Sequence, residues 1–325
     1  MEIGVDTSGK FLTGEPYEPT VVAATVGSAE TFAEIGGWTN AALERWGVAD
    51  RIDELHAKKL RSHEKLEVCR MLADRGDVRL AAVATDTLLL GSVAALAKHR
   101  DRQLGNARAM RPQTVEGRRR KLDIIEFLGD EALSDGEYAL AAILPLVGEA
   151  IVQQALCYFR GDEWRDDMSA FRLLIDEEAA PTMRYGAASL LPSLGGDERF
   201  SWRLPVEWRE EPVHPLLVRS EHRDGDGLMP QAILGDMRWV SSAAHPCVQV
   251  ADVAAWVLRR ALAKPGEPET VEMFEIIKPL LEGEHGVTFQ LFSVPPLRDD
   301  QLAMYSHLQS GEQPLWWLTP VLAGS

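Results

Sequence analysis

The sequence predicts an α/β protein with one mixed central sheet, helices on both faces and a C-terminal helix-strand appendage. Two observations lead to this prediction. Short apolar strands alternate with helical stretches along the 325 residues, and three separate strands each end in an aspartate, at Asp6, Asp86 and Asp176. Ligands of α/β sheets gather at strand carboxyl ends. The repeated aspartate is therefore the first indication of a functional site.

The N-terminal elements begin with the stretch "EIGVDTSGK". Residues 2–5 predict a strand, and we expect Asp6 at its exit, with residues 7–9 turning the chain. Two interpretations stay open for Asp6: an Asx-turn, or a carboxylate on the rim of the sheet that could bind a metal. Residues 20–25 predict a strand that pairs with the first as a β-hairpin.

The middle of the chain alternates helix and strand signals. Ser28 is expected to cap a helix that runs to about Trp46. The following elements are predicted in order: a polar connector or short strand at 51–62, a helix at 63–75, a buried strand at 77–86, and a further helix. Residues 100–121 are polar and basic, and predict a mobile excursion between helices.

The second half is expected to contain a long helix at 135–159, a strand within 170–181 that ends in acid, two short strands at 200–219, and a helix at 245–262. Pro246 suits the first turn of that helix. The pair Pro265 and Gly266 then separates two regions. We expect a domain at 1–264, including the basic excursion, and a C-terminal extension at 265–325 packed on the same domain.

Composition and charge limit the class of function. Hydrophobic residues make up 46% of the chain, and we expect no membrane span or signal peptide, because neither pattern occurs. Cys69, Cys157 and Cys247 stand singly, which favours a reducing cytoplasm. The net charge of −16 argues against extensive nonspecific binding of nucleic acid but leaves room for RNA or DNA at a local site. A homodimer is the other assembly that we consider.

The helix that begins at Pro246 is the most informative segment. Its interior is apolar except for Gln249 and Asp252, which are three residues apart and so share a helix face. Asp252 either pairs with an arginine, caps a loop amide, or points at the strand end that carries Asp6. In the last case, repulsion between carboxylates would favour Mg²⁺ or Mn²⁺. Such ions could activate water and stabilise a leaving oxygen in phosphodiester cleavage.

Four motifs follow one another along the chain: "VDTSG" at 5–9, "ELHAK" at 54–58, "LLIDEE" at 173–178 and "VQVADVAAW" at 248–256. In order and spacing they resemble those of the largely bacterial domain of unknown function 3800 family, and the resemblance covers roughly residues 1–262. The resemblance implies a ribonuclease H-like fold and metal-dependent phosphoryl chemistry. The activity part of this implication is an analogy from fold.

The resemblance also implies a set of site residues. The catalytic set would be Asp6, Glu54, Asp176 and Asp252, and the metal ligands Asp6, Asp176 and Asp252. The supporting set would be Thr7, Ser8, His56, Asp86 and Gln249. Thr7 departs from the family, which has glutamate there. If that glutamate binds metal or activates water, this chain is weakened or inactive, and Thr7 keeps only a hydroxyl contact.

Structural alternatives exist for several of these residues. Asp86 could instead cap a helix that starts at Leu88, and Glu54 and His56 could lie on a solvated face. The basic run 118–121 could contact a phosphate backbone or simply begin a solvated helix.

Three functions therefore compete at this level. The first is a metal-dependent nuclease-like phosphodiesterase. The second is a catalytically weakened or inactive binding or accessory protein on the same scaffold. The third is an ATPase of the actin and sugar-kinase type, with "SLGGDERF" at 193–200 as its second phosphate loop.

Overall fold

The structure is a computed structural model that describes most of the first half of the chain and the segment around 236–283. The described residues are 1–9, 19–85, 93–109, 111, 115–159, 164, 167, 171–177, 202–203, 217–219, 226–228, 236–283, 286–287, 289–293 and 320–322. Within them the chain has an α/β fold whose main sheet contains seven strands.

The strands are numbered in chain order: β1 (Glu2–Ser8), β2 (Thr20–Gly27), β3 (Arg79–Thr85), β4 (Arg172–Asp176), β5 (Trp202–Arg203), β6 (Leu217–Arg219), β7 (Asp226–Leu228), β8 (Asp236–Val240), β9 (Glu282–Gly283), β10 (Gly286–Val287), β11 (Phe289–Ser293) and β12 (Pro320–Leu322). The main sheet has the order β12-β11-β3-β2-β1-β4-β8. Strand β2 is antiparallel to its neighbours β1 and β3, and the other pairings are parallel. Six strands of this sheet therefore end at the same edge.

Helices cover both faces of the sheet, as predicted. They are α1 (Ala29–Arg45), α2 (Ser62–Ala73), α3 (Val93–Ala109), α4 (Val115–Gly129), α5 (Asp135–Tyr158), α6 (Pro246–Ala263) and α7 (Pro268–Leu281), with a short 3₁₀ turn at Ser242–Ala244 before α6. Helices α3, α4 and α5 share one core with the sheet, and α1, α2, α6 and α7 share the other. None of the helices in the described ranges is long and apolar enough to cross a membrane.

Local signals place several elements correctly. Ser28 precedes α1, and its hydroxyl accepts a hydrogen bond from Thr31 N at 3.0 Å, because a side-chain oxygen can satisfy an amide that the helix leaves unpaired. Pro246 occupies the first turn of α6. Ser134 and Glu137 form a capping box at the start of α5. These boundaries follow from residues close in the sequence.

The prediction that residues 100–121 form a mobile excursion between helices is wrong in placing them outside helices, because most of that range is helical. Helix α3 extends to Ala109, and α4 begins at Val115. Ala107 and Ile124 are buried, and Arg100 Nε donates to Leu128 O at 2.8 Å, which ties the two helices together. Arg, Lys, Gln and Ala are good helix formers, so a few buried contacts suffice to order a polar segment.

The C-terminal residues join the main sheet rather than only extending from it. Helix α7 buries Met273, Phe274 and Ile277 in the core that it shares with α6. Strand β11 then pairs with β3, with Phe289 opposite Ala82. A parallel strand needs a crossover connection before it can pair, and this long-range pairing gives no local sequence signal.

Candidate functional site

Asp6 and Asp176 occupy matching positions on two neighbouring parallel strands. The register pairs Val5 of β1 with Ile175 of β4, so Asp6 and Asp176 are the next residues on the two strands. Neighbouring strands lie about 4.8 Å apart, and their side chains at matching positions point to the same face. We call Asp6 and Asp176 the carboxylate pair.

The carboxylate pair faces the side of the sheet that α6 covers. Asp6 pairs with Ala23 of β2, and Asp176 pairs with Val240 of β8. Ala23 belongs to the core that contains α6, and Val240 packs against it. Cross-strand partners project to the same face. Both aspartates are buried, with 6% and 7% of their surface exposed, and a buried carboxylate is costly unless it is hydrogen-bonded or bound to a cation.

The prediction that Asp6 lies at the strand exit is wrong. Strand β1 continues through Ser8, and the chain turns only at Gly9, whose φ of 111° is a conformation that glycine adopts most readily. Pairing with β2 lengthens the strand beyond its apolar residues. Within the strand, Thr7 N donates to Asp6 Oδ1 at 2.5 Å.

Thr7, where the domain of unknown function 3800 proteins have glutamate, lies on the other face of the sheet. Thr7 pairs with Val22, which lies in the core beneath α5. Ser8 pairs with Val21 in the core beneath α6 and so shares the face of Asp6. The Thr7 side chain therefore projects away from the Asp6 carboxylate, because side chains alternate along a strand.

Helix α6 lies directly on β1. A Cβ added to Gly4 would come within 2.2 Å of the Cys247 carbonyl carbon, and Thr25 Oγ1 donates to Cys247 O at 2.8 Å. At the other end of the helix, Arg259 Nε donates to Pro19 O at 3.0 Å, next to the start of β2. The helix thus runs along β1 toward the carboxyl end of the strand. Glycine inside a strand is a recognised sign of such close approach.

Asp252 lies at about the same level as Asp6 along this direction. It follows Cys247 by five residues, a rise of about 7.5 Å along a helix. Asp6 follows Gly4 by two residues, about 6.6 Å along a strand. The fold therefore brings Asp252 to the side and the level of the sheet where the carboxylate pair lies, although its contacts go to another segment.

The Asp252 carboxylate caps the loop at 56–57. Its Oδ2 accepts from Ala57 N at 2.7 Å and lies 3.0 Å from His56 Nδ1. The hydrogen bond between the His56 ring and the Asp252 carboxylate is the largest of the causes that raise the pKa of His56 above its usual value. Of the interpretations left open by the sequence, the loop cap is the one that the hydrogen bonds show.

Gln249 holds the same loop one turn earlier on α6. Its Oε1 accepts from Leu55 N at 3.0 Å, and its Nε2 donates to Ser242 O at 3.0 Å and to Ala243 O at 3.2 Å. One buried amide side chain thus joins the loop, the 3₁₀ turn and α6. All three of its bonds go to backbone atoms, which suits a positioning role.

Glu54 completes the arrangement. Its Oε2 accepts from Ser242 Oγ at 2.7 Å, and its Oε1 lies 3.8 Å from Lys59 Nζ. We call residues 54–57, together with Gln249 and Asp252, the loop clamp. Two motifs almost two hundred residues apart are therefore one structural unit. Ser242 had no signal in the sequence that would have identified it as a partner of Glu54.

The described residues do not by themselves form a three-ligand metal centre: no group of three or more His, Cys, Asp or Glu within them is arranged to hold an ion. Asp86, a supporting candidate, lies outside the described residues, and so does the glycine-containing segment 193–200. The donors that the structure does bring together are the two oxygen-bearing side chains of the carboxylate pair.

Comparisons with protein-family models, with curated proteins and with solved structures found no match for this chain. We therefore infer function from the contacts within the chain itself.

Proposed function

We propose that this chain is a divalent-metal-dependent, nuclease-like phosphodiesterase with a ribonuclease H-like fold, related to the domain of unknown function 3800 family. The observation that carries the proposal is the register of β1 and β4, which aligns Asp6 with Asp176 on one face of the sheet. Two carboxylates at matching positions on adjacent strands repel each other, and a divalent cation relieves that repulsion.

The topology around the pair supports the fold assignment. The central part of the sheet has the order β3-β2-β1-β4-β8, with β2 antiparallel to β1 and β3. A hairpin followed by parallel strands, with helices on both faces, is compatible with a ribonuclease H-like sheet. The buried free thiols of Cys69 and Cys247 suit the reducing cytoplasm that we propose as its compartment.

The carboxylate pair fits a Mg²⁺ or Mn²⁺ ion by its chemistry. Mg²⁺ is commonly held by one or two carboxylates and keeps several waters, so Asp6 and Asp176 would supply the protein ligands. When bound, such an ion lowers the pKa of a water molecule and neutralises charge on a phosphate group.

Asp252 would contribute from the helix side. Both hydrogen bonds from described residues reach its Oδ2, so Oδ1 is the atom that could turn toward a cation. The loop clamp would then orient the carboxylate while leaving one oxygen for the site. Hydrogen bonds that hold a ligand in place commonly affect metal affinity strongly.

The experiment that tests the proposal measures cleavage of labelled RNA, DNA and RNA–DNA hybrid by the full chain with Mn²⁺ or Mg²⁺. We expect Asp6→Asn and Asp176→Asn to lower the rate at least about 100-fold, because each removes a charged ligand. Asp50→Asn, at an exposed turn residue, is the control and should keep wild-type activity. A wild-type protein that leaves every substrate intact, or full activity in both variants, would overturn the proposal.

A second candidate is a binding or accessory protein on the same scaffold. One observation favours it: Glu54, Gln249 and Asp252 are all engaged in the loop clamp, which gives these family motifs a structural use without chemistry. In that case divalent metal would not stabilise the protein, and carboxylate substitutions would change no activity.

A further inference from the structure

The hairpin of α3 and α4 is a basic element on an acidic protein. Residues 93–129 contain nine Lys and Arg but four Asp and Glu, a net charge of +5. The whole chain carries −16, so the remaining residues carry −21. A local excess of this size cannot be neutralised by ion pairs within the hairpin, and it makes a region of positive potential that attracts anions.

The positive charge concentrates at the end of the hairpin where α3 passes into α4. We call four exposed residues there the basic tip: Arg108, Arg111, Arg118 and Arg119. The base of the hairpin is held by Arg100, whose Nε donates to Leu128 O and whose Nη1 donates to Leu133 O. Arg108 is eight residues further along α3, about 12 Å from the base, so the tip lies away from the anchored end.

The hairpin lies toward the edge of the sheet where the carboxylate pair is found. Helix α5 ends at Tyr158, whose ring stacks on Arg79, the first residue of β3. The Arg79 Cζ atom lies 3.1 Å from the centre of that ring. Helix α5 therefore begins toward the carboxyl end of that strand. Near this beginning, the Tyr138 hydroxyl is 2.6 Å from His99 Nδ1 of α3. The base of the hairpin is thus near the carboxyl edge that β1 and β4 share, on the face opposite to the one that the carboxylate pair occupies.

We propose that the basic tip binds the sugar-phosphate backbone of a nucleic acid strand, independently of sequence. This inference rests on the proposed function for its substrate class, and it assigns a binding surface that is separate from the carboxylate pair. Arginine recognises phosphate through charge and paired N–H groups.

An anionic membrane is the competing occupant, because Val115 and Leu122 on α4 are 76% and 65% exposed. Interfacial helices insert an apolar face with residues such as Trp, Phe and Leu, and their binding scales with the apolar area that they bury. The described part of the hairpin exposes three large apolar side chains, none of them aromatic, beside nine Lys and Arg. Its apolar area is therefore small relative to its charge, which favours nucleic acid.

The test is fluorescence anisotropy of labelled single-stranded RNA and DNA with the full chain in EDTA, between about 50 and 200 mM NaCl. The variant is Arg118→Gln/Arg119→Gln. Its control, Arg45→Gln/Arg70→Gln, removes the same charge from exposed ion pairs on the other side of the sheet. We expect the tip variant to bind at least about fivefold more weakly and to lower the salt slope by about 1.4, while the control binds like wild type.

Thermal unfolding checks the fold of the variant. Both arginines are exposed, and surface substitutions usually change stability by less than about 0.5 kcal/mol, so the Tm should stay close to that of wild type. Any of three results would overturn the inference. They are wild-type affinity in the tip variant, equally weakened binding in the control variant, and binding to anionic vesicles but not to oligonucleotides. The binding assay contains no divalent metal, so its result is independent of cleavage. Binding that depends on the basic tip would support this inference even if no substrate were cleaved. Cleavage by a protein whose binding does not depend on the tip would refute this inference but not the proposed function.

Discussion

Gly4 of β1 lies directly against the backbone of Cys247 in α6. An added Cβ would meet the Cys247 carbonyl carbon at 2.2 Å and its oxygen at 2.3 Å. These are backbone atoms, so no side-chain rotation can relieve the contact. This single close approach sets the height of α6 above the sheet and, with it, the position of Asp252 relative to Asp6.

We predict that Gly4→Ala destabilises the protein by about 3 kcal/mol or more, because the helix must move away from the strand. The measurement is the free energy of unfolding from urea denaturation. Gly37→Ala is the matched control: Gly37 lies in α1 with nothing within 4 Å of the added Cβ, and the change should stabilise by about 0.5–1 kcal/mol. An unchanged unfolding midpoint in Gly4→Ala would contradict the packing described.

Gln249→Met should open the loop clamp. Methionine keeps the volume of the side chain but leaves the Leu55 amide and two backbone carbonyls without their partner. We expect a loss of about 1–3 kcal/mol in unfolding free energy, and faster hydrogen exchange at the Leu55 amide than in wild type. Unaltered exchange at Leu55 would show that the amide does not depend on Gln249.

Divalent metal should raise the melting temperature if the carboxylate pair holds an ion. At a concentration about 100 times the dissociation constant, binding to the folded state adds about 2.7 kcal/mol. The measurement is the change in Tm on adding Mn²⁺ to wild type and to Asp6→Asn. We expect a rise for wild type that the variant loses. An equal response from both proteins would favour the binding or accessory function.

His99 should make stability depend on pH below neutrality. Burial, reinforced by the charge of Arg102, lowers the pKa of His99 to about 4 in the folded state, whereas an unperturbed histidine has a pKa of about 6.5. The unfolded chain therefore binds the proton more readily. The stabilisation is complete above about pH 6.5 and is lost as the pH falls toward 4.

Urea denaturation at several pH values checks this prediction. His99→Gln should lose less stability between pH 7 and 4 than wild type, by on the order of 2 kcal/mol. Tyr138→Phe removes the hydroxyl that lies 2.6 Å from His99 Nδ1 but keeps the titrating ring, so it should lower stability while keeping the pH dependence. Parallel curves for wild type and His99→Gln would refute the assignment.

Local patterns predicted most of the elements but not all of their limits. Neighbouring residues predicted three short-range features: the cap at Ser28, the proline at the start of α6 and the acid at the end of β4. They did not predict the extent of β1, because pairing with β2 continues the strand past Asp6 to Ser8. The helices within 100–121 were missed because few buried residues order that polar segment.

The sequence by itself determined the α/β class, the alternation of elements and the residue types that could carry phosphoryl chemistry, since propensity, capping and periodicity act over a few residues. Only the tertiary structure decided that Asp6 is level with Asp176 across β1 and β4, that Thr7 faces the opposite core, and that Gln249 holds an amide 194 residues away. Strand register and helix packing arise from hydrogen bonds and burial between distant segments. A shift of one residue would turn each aspartate to the other face of the sheet.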